Sequence, residues 1–138
     1  MDTTTHRCDL DPRLVSRTDL PPGPLGEHLA AAHLVDDGLV VLARNWRLSS
    51  GELRGELDVI AVDEPHGTVV VTEVKARRDA ERFGGALAAV PPRKAAKVRA
   101  LTAAFLREAR LPYPRVRLDV VAVDLGRRPV LHHVQGAL

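Results

Sequence analysis

The chain has 138 residues, enough for one domain with a core of its own. Hydrophobic residues at 45% and charged residues at 28% are the proportions of a soluble globular protein, and no apolar run nears the ~20 residues of a membrane span. The single cysteine, Cys8, excludes an internal disulfide, and the polar N-terminus lacks the features of a signal peptide, so the expected compartment is the cytoplasm.

Residues 1–22 are polar, without periodicity, and end in Pro21-Pro22-Gly23-Pro24, which predicts a flexible tail ahead of a domain spanning 23–138. Leu25 to Asp37 is rich in Ala and Leu and is followed by Gly38, the pattern of a helix with a glycine cap. Leu39–Leu48, Gly55–Val62 and Thr68–Ala76 have the composition of three strands separated by turn residues. A basic, glycine-containing loop covers Arg77–Val90. Pro91-Pro92 then opens a second helix whose stripe Lys94, Val98, Leu101, Phe105 has helical spacing. Arg115–Asp124 and Val130–Val134 complete the set as strands. The expected fold is a single α/β domain, a mixed central sheet flanked by helices in the order αβββαββ. The second helix is long enough to make the strands on either side of it parallel.

The net charge is only +2, but it is unevenly spread. Arg77, Arg78, Arg82, Arg93, Lys94, Lys97 and Arg99 face only Asp79 and Glu81 over the same stretch. Such a cluster attracts phosphate even on a nearly neutral chain, although a solvated helix face has the same composition. Aromatic residues are scarce, which disfavours a grip on single strands by base stacking and leaves backbone phosphates as the target.

Two strand segments carry charges where apolar residues are expected. Asp58 interrupts Gly55-Glu56-Leu57-Asp58-Val59-Ile60, and Glu73 and Lys75 interrupt Val69-Val70-Val71-Thr72-Glu73-Val74-Lys75. Alternation places Glu73 and Lys75 on one face, and Glu56 and Asp58 likewise. In the simplest hairpin register, Asp58 opposes Glu73 and Glu56 opposes Lys75, with directly opposed Cβ atoms about 5 Å apart. Two ionised carboxylates so close repel unless a cation lies between them, and hard divalent ions such as Mg²⁺ or Mn²⁺ prefer these oxygens. An exposed sheet face with cross-strand Glu–Lys pairs is the competing reading. Glu27 falls on the core side of the first helix, where it is either a site residue or a helix-dipole carboxylate. Lys94 either reaches the sheet edge or snorkels. Only three lysines stand against seventeen arginines, and Lys75 and Lys94 are two of them. No His-x₃-His spacing with a partner carboxylate, no phosphate loop and no serine elbow occurs. Arg117 and Asp119 share a strand face and suit a structural ion pair.

Gly26-Glu27 with its Ala-rich helix, Arg44-Asn45-Trp46-Arg47, Gly55-Glu56-Leu57-Asp58-Val59-Ile60, Glu73-Val74-Lys75-Ala76-Arg77, Lys94 and Arg117-Leu118-Asp119-Val120-Val121-Ala122 follow one another in that order. This ordered set resembles the YraN family of uncharacterised bacterial proteins, over about Pro24 to Val134. That family is similar to the PD-(D/E)XK nuclease superfamily, with a fold like the archaeal Holliday junction resolvases. The resemblance implies that Asp58 and Glu73, with the carbonyl of Val74, hold Mg²⁺ or Mn²⁺. It implies that Lys75 positions the attacking water and that Glu27 and Lys94 assist. Arg77, Arg78, Arg82, Arg93 and Lys97 would hold a nucleic-acid backbone. Val71-Thr72 departs from the more usual aromatic-valine pair. The expected activity is endonucleolytic hydrolysis of DNA, with branched DNA among the candidate substrates. A non-catalytic nucleic-acid-binding module and a scaffold for a protein partner, including a homodimer, are the alternatives on the same fold.

Overall fold

The computed structural model describes residues 4–16, 19–78 and 90–138. Its elements are β1 (Thr4–Asp9), α1 (Pro12–Ser16), α2 (Pro22–Asp36), β2 (Val40–Ser50), β3 (Leu53–Asp63), β4 (Thr68–Arg77), α3 (Pro92–Ala109), β5 (Arg115–Asp124) and β6 (Val130–Gln135). The strands form one sheet in the order β1-β6-β5-β4-β3-β2. Among the described strands, only β4 and β5 are parallel, with α3 between them in the chain as a helical crossover requires. Among the described residues, no helix is long and apolar enough to cross a membrane.

The central strands β4 and β5 are apolar on both faces because both faces are covered. On one side α2 packs Leu25, Ala30 and Leu34 against Val59, Ala61, Val70, Val74, Val121 and Val123. On the other, α3 packs Val98, Leu101 and Phe105 against Leu57, Ile60, Val69 and Val71. Trp46 meets Phe105 edge-to-face at 5.3 Å between ring centroids, closing the second core toward β2.

The N-terminal segment differs from the expectation of a flexible tail. Thr4–Asp9 forms β1, antiparallel to β6 in an unbroken register from Thr4↔Gln135 to Asp9↔Val130. Val15 of α1 is buried in the α2-side core. An edge strand draws its order from backbone pairing and needs little apolar alternation, so Thr-Thr-His-Arg-Cys-Asp carries no visible pattern.

Helix α2 ends as its glycine predicts. Gly38 has φ +92°, its N–H donates to Val35 O, and the N–H of Leu39 donates to Leu34 O. This pair of bonds is a Schellman cap.

Candidate active site

Between the pairs Arg44↔Val59 and Trp46↔Leu57, Asn45 and Asp58 stand opposite each other outside the ladder. Asn45 has a left-handed backbone, φ +54°. Strand β3 changes phase at the same place: Leu57 and Ile60 lie in the α3-side core, while Val59 lies in the α2-side core.

The pairing of β3 with β4 stops at Val59↔Thr72. Continuing that register by one pair sets Asp58 opposite Glu73, as the simplest hairpin predicts. No backbone bond forms there. Instead Asp58 Oδ2 accepts the Val74 N–H at 2.8 Å. A side-chain carboxylate has taken the place of a strand carbonyl, so the strands part and a polar notch opens. The expected opposition of Glu56 and Lys75 does not occur. Glu56 turns to β2, where Arg47 Nε donates to Oε2 at 2.9 Å.

Glu73 is only 3% exposed. One of its oxygens, Oε1, lies 3.4 Å from Lys94 Nζ at the start of α3. The other, Oε2, is buried with no hydrogen-bond partner among the described residues. Burial first, and the neighbouring Asp58 charge second, push the Glu73 carboxyl up to about 7. Asp58 is also raised by burial, against the opposing pull of the Val74 N–H, of hydrogen bonding with Glu73 and of Lys94. Lys75, half-buried, shares the Glu73 face and lowers that carboxyl slightly through its charge.

Helix α2 adds Glu27. Gly26 makes this approach possible: a Cβ there would overlap the Ala76 Cβ of β4. Glu27, Glu56 and Asp58 each present an oxygen within 4.8 Å of the others. Asn45, with its amide nitrogen turned toward them, lies 3.0 Å from Glu27 Oε2 and 2.7 Å from Glu56 Oε1. Burial, then Asp58 and Glu56, raise the Glu27 carboxyl.

Lys94 and Lys97 complete a cavity of about 220 Å³ with Gly55, Glu56, Asp58, Val98 and Leu101. Gly55 belongs there because a Cβ would lie 2.8 Å from both Leu101 Cδ1 and Lys97 Cε. Arg93 is exposed in the first turn of α3.

The sequence-predicted residues therefore fall into groups. Asp58, Glu73, Lys94, Lys75 and Glu27 converge, and Val74 is tied to Asp58. Arg77 and Arg78 lie at the end of β4, and Arg78 Nη2 donates to Leu20 O at 3.4 Å. Arg78 lines a separate cavity with Arg13 and Arg127. Arg82 lies outside the described residues. Sequence reasoning gave Glu56 a structural place opposite Lys75 and assigned Asn45 no role. The signal for Asn45 was its residue type, since asparagine tolerates a left-handed backbone better than other non-glycine residues.

The sequence profile of the uncharacterised protein family UPF0102 matches residues 26–123, most of the chain. The chain belongs to that family. A UPF0102 protein of Mycolicibacterium gilvum is 44% identical over 126 residues, covering 88% of this chain and 98% of its own length. One of Mycobacterium avium is 42% identical over 121 residues, covering 86% and 91%. One of Acidothermus cellulolyticus is 44% identical over 128 residues, covering 83% and 91%. The part of this UPF0102 chain matched by the profile includes Glu27, Asn45, Glu56, Asp58, Glu73, Lys75 and Lys94.

Proposed function

We propose that this UPF0102 protein is a metal-dependent nuclease that hydrolyses phosphodiester bonds in DNA in the cytoplasm. The observation that carries this reading is Glu73: a buried carboxyl beside Asp58, with one oxygen that meets no donor among the described residues. An acid placed this way costs several kcal/mol unless a cation or proton compensates it.

The donor set fits a hard divalent ion. Asp58 and Glu73 would hold Mg²⁺ or Mn²⁺, with the Val74 carbonyl as a third ligand and Glu27 and Glu56 close by. All are oxygen donors, the type such ions select. When bound, the ion supplies Lewis acidity toward a phosphate oxygen. The chain's own residues do the rest. Lys94 and Lys97, at the N-terminus of α3, attract the phosphate, and the helix dipole adds to their field. Lys75 orients a water toward the phosphorus and offers an ammonium to the charge that develops there. Asn45, donating to Glu27 and Glu56, holds the acidic side of the notch in place.

Mn²⁺-dependent cleavage of linear and branched DNA tests this function. Cleavage by the wild-type chain that disappears in Asp58→Ala and Lys75→Ala is the expected result. Wild-type activity retained in both variants rejects the assignment.

One observation favours a second reading. Lys94 Nζ already meets Glu73 Oε1 at 3.4 Å, so an ammonium partly neutralises the acid without an ion. A nucleic-acid-binding module on this fold would use the same lysines and need no metal. Calorimetric titration with Mn²⁺ separates the two, because only the nuclease reading requires an Asp58-dependent binding event.

A further inference from the structure

Toward the other end of α2, about 9–15 Å along the helix from Glu27, His33 and Asp37 face His133 of β6. The three side chains each offer a ligand atom, and these atoms lie within 4.8 Å of one another. His33 Nε2 is 3.1 Å from His133 Nδ1. Two nitrogens bound to one tetrahedral zinc stand about 3.3 Å apart, given Zn–N bonds of about 2.0–2.1 Å. We propose that His33 Nε2, His133 Nδ1 and an Asp37 carboxylate oxygen form a second metal site, for a borderline divalent transition-metal ion of the zinc class.

The surroundings of the two imidazoles point the same way. Asp119 is fully buried and accepts four hydrogen bonds: from Arg117 Nε and Nη2, from the Gly136 N–H, and from His133 Nε2 at 2.7 Å. As a carboxylate it can only accept, so His133 carries its proton on Nε2 and keeps a lone pair on Nδ1. That lone pair is aimed at His33. On the far side of His33, Nδ1 lies 3.8 Å from Cys8 Sγ of β1. Each imidazole thus has an outer partner on the nitrogen remote from the proposed ion, the arrangement that orients metal-binding histidines. Without an ion, the His33 Nε2–H donates to His133 Nδ1. When a metal takes Nε2, that proton shifts to Nδ1, where it faces Cys8 Sγ, and His33 stays neutral.

The backbone of the third ligand is fixed by the helix cap. The Asp37 N–H donates to His33 O, one turn back, and the Schellman bonds of Gly38 and Leu39 hold the end of α2 in place. Asp37 is exposed, His33 half-buried and His133 fully buried, so the site opens to solvent on the Asp37 side. Two nitrogens and one oxygen suit zinc, cobalt or nickel better than magnesium, unlike the all-oxygen notch at Asp58. The residues come from α2 and β6, a hundred positions apart, so no sequence spacing announces them.

The test uses the full chain, stripped with a chelator and titrated with Zn²⁺, with imidazole ¹⁵N resonances as the readout. Zinc should move the signals of His33 Nε2 and His133 Nδ1 and leave those of the exposed His28 and His66 in place. His33→Gln and Asp37→Asn should each weaken this event by at least the ~10–100-fold that loss of an outer-shell partner costs. Asp58→Asn should leave it unchanged, which keeps this site separate from the proposed nuclease centre. Asp37→Asn alters only an exposed side chain, so the test stands even if His33→Gln fails to fold. Unmoved imidazole signals at saturating zinc, or wild-type affinity in either variant, overturn the proposal.

Discussion

Asp58, one residue beyond the last β3–β4 pair Val59↔Thr72, accepts the backbone N–H of Val74 through Oδ2 at 2.8 Å. A sheet of this kind normally continues its ladder carbonyl to amide. Here a carboxylate stands in, and the resulting notch is where Glu73, Lys94 and Glu56 meet. The same hydrogen bond is therefore both a structural support and the means by which Asp58 is aimed.

That dual role predicts different outcomes for two substitutions. Asp58→Ala leaves the buried Val74 N–H without a partner and should cost about 1–3 kcal/mol of stability. Relief of repulsion with Glu73 offsets part of this. Asp58→Asn keeps an acceptor for the amide and should unfold closer to wild type, while losing Mn²⁺ binding as fully as the alanine variant. Urea denaturation and calorimetric titration check the pair. Equal destabilisation in both variants would count against the hydrogen bond as the support.

Glu73 predicts an unusual pH dependence. Its carboxyl sits at about 7 in the folded chain against an ordinary value of 4.5. The folded state holds this proton more tightly than the unfolded one, so its stabilising contribution is complete below about pH 4.5. It is lost as pH rises through about 7. In the presence of a chelator, stability should fall across that window by an amount on the order of 2–3 kcal/mol. Glu73→Gln should flatten the profile. Saturating Mn²⁺ should oppose the loss, adding about 2.7 kcal/mol at a hundred times its Kd. Denaturation midpoints measured from pH 4 to 8 decide this, and a slope indifferent to Glu73→Gln would refute it.

Gly26 predicts a packing coupling. In Gly26→Ala the new methyl overlaps the Ala76 Cβ, which should cost about 1–3 kcal/mol and shift Glu27 away from Asp58. Ala76→Gly placed in the same chain removes the overlap. The double variant should recover stability beyond the sum of the two single changes. A double-mutant cycle with no coupling would show that helix and strand do not bear on each other there.

The buried Asp119 should prove structural. Burial by itself raises its carboxyl, but hydrogen bonds from His133, Arg117 and Gly136 outweigh that and hold it below the usual range. Its contribution is then present above the ordinary Asp pKa and is lost as pH falls below it. Asp119→Ala leaves Arg117 without its partner and should cost about 3–5 kcal/mol, the largest loss among these variants. Any DNA cleavage by the folded fraction should persist, since among the described residues the polar partners of Asp119 are Arg117, His133 and Gly136, away from the Asp58 notch. Thermal unfolding and specific activity corrected for folded protein test both parts.

Arg93 and Lys97 are exposed on α3, and Lys97 borders the Asp58 cavity. If they contact phosphates, Lys97→Ala and Arg93→Ala should each weaken DNA binding at low salt and reduce the slope of log K against log salt by about 1. Binding measured at several salt concentrations gives that slope directly. An unchanged slope would remove these residues from the interface.

The sequence by itself determined the elements whose residues state their own period. The stripe Val98, Leu101, Phe105 determined α3, the apolar runs determined β4 and β5, and Gly38 determined the end of α2. The length of α3 settled the parallel crossover. Charges inside β-forming runs singled out Asp58, Glu73 and Lys75, because a strand that is buried on both faces does not tolerate them without a reason.

Only the tertiary structure decided the rest. Strand β1 exists because β6 offers it an open edge, which no local pattern in Thr4–Asp9 records. The break at Asn45 and Asp58, which turns Glu56 from a hairpin partner of Lys75 into part of the acidic cluster, depends on three strands meeting. The histidine cluster joins α2 to β6 across a hundred residues. Periodicity reports how one segment meets solvent or core, while these features depend on which distant groups the fold sets within hydrogen-bonding reach.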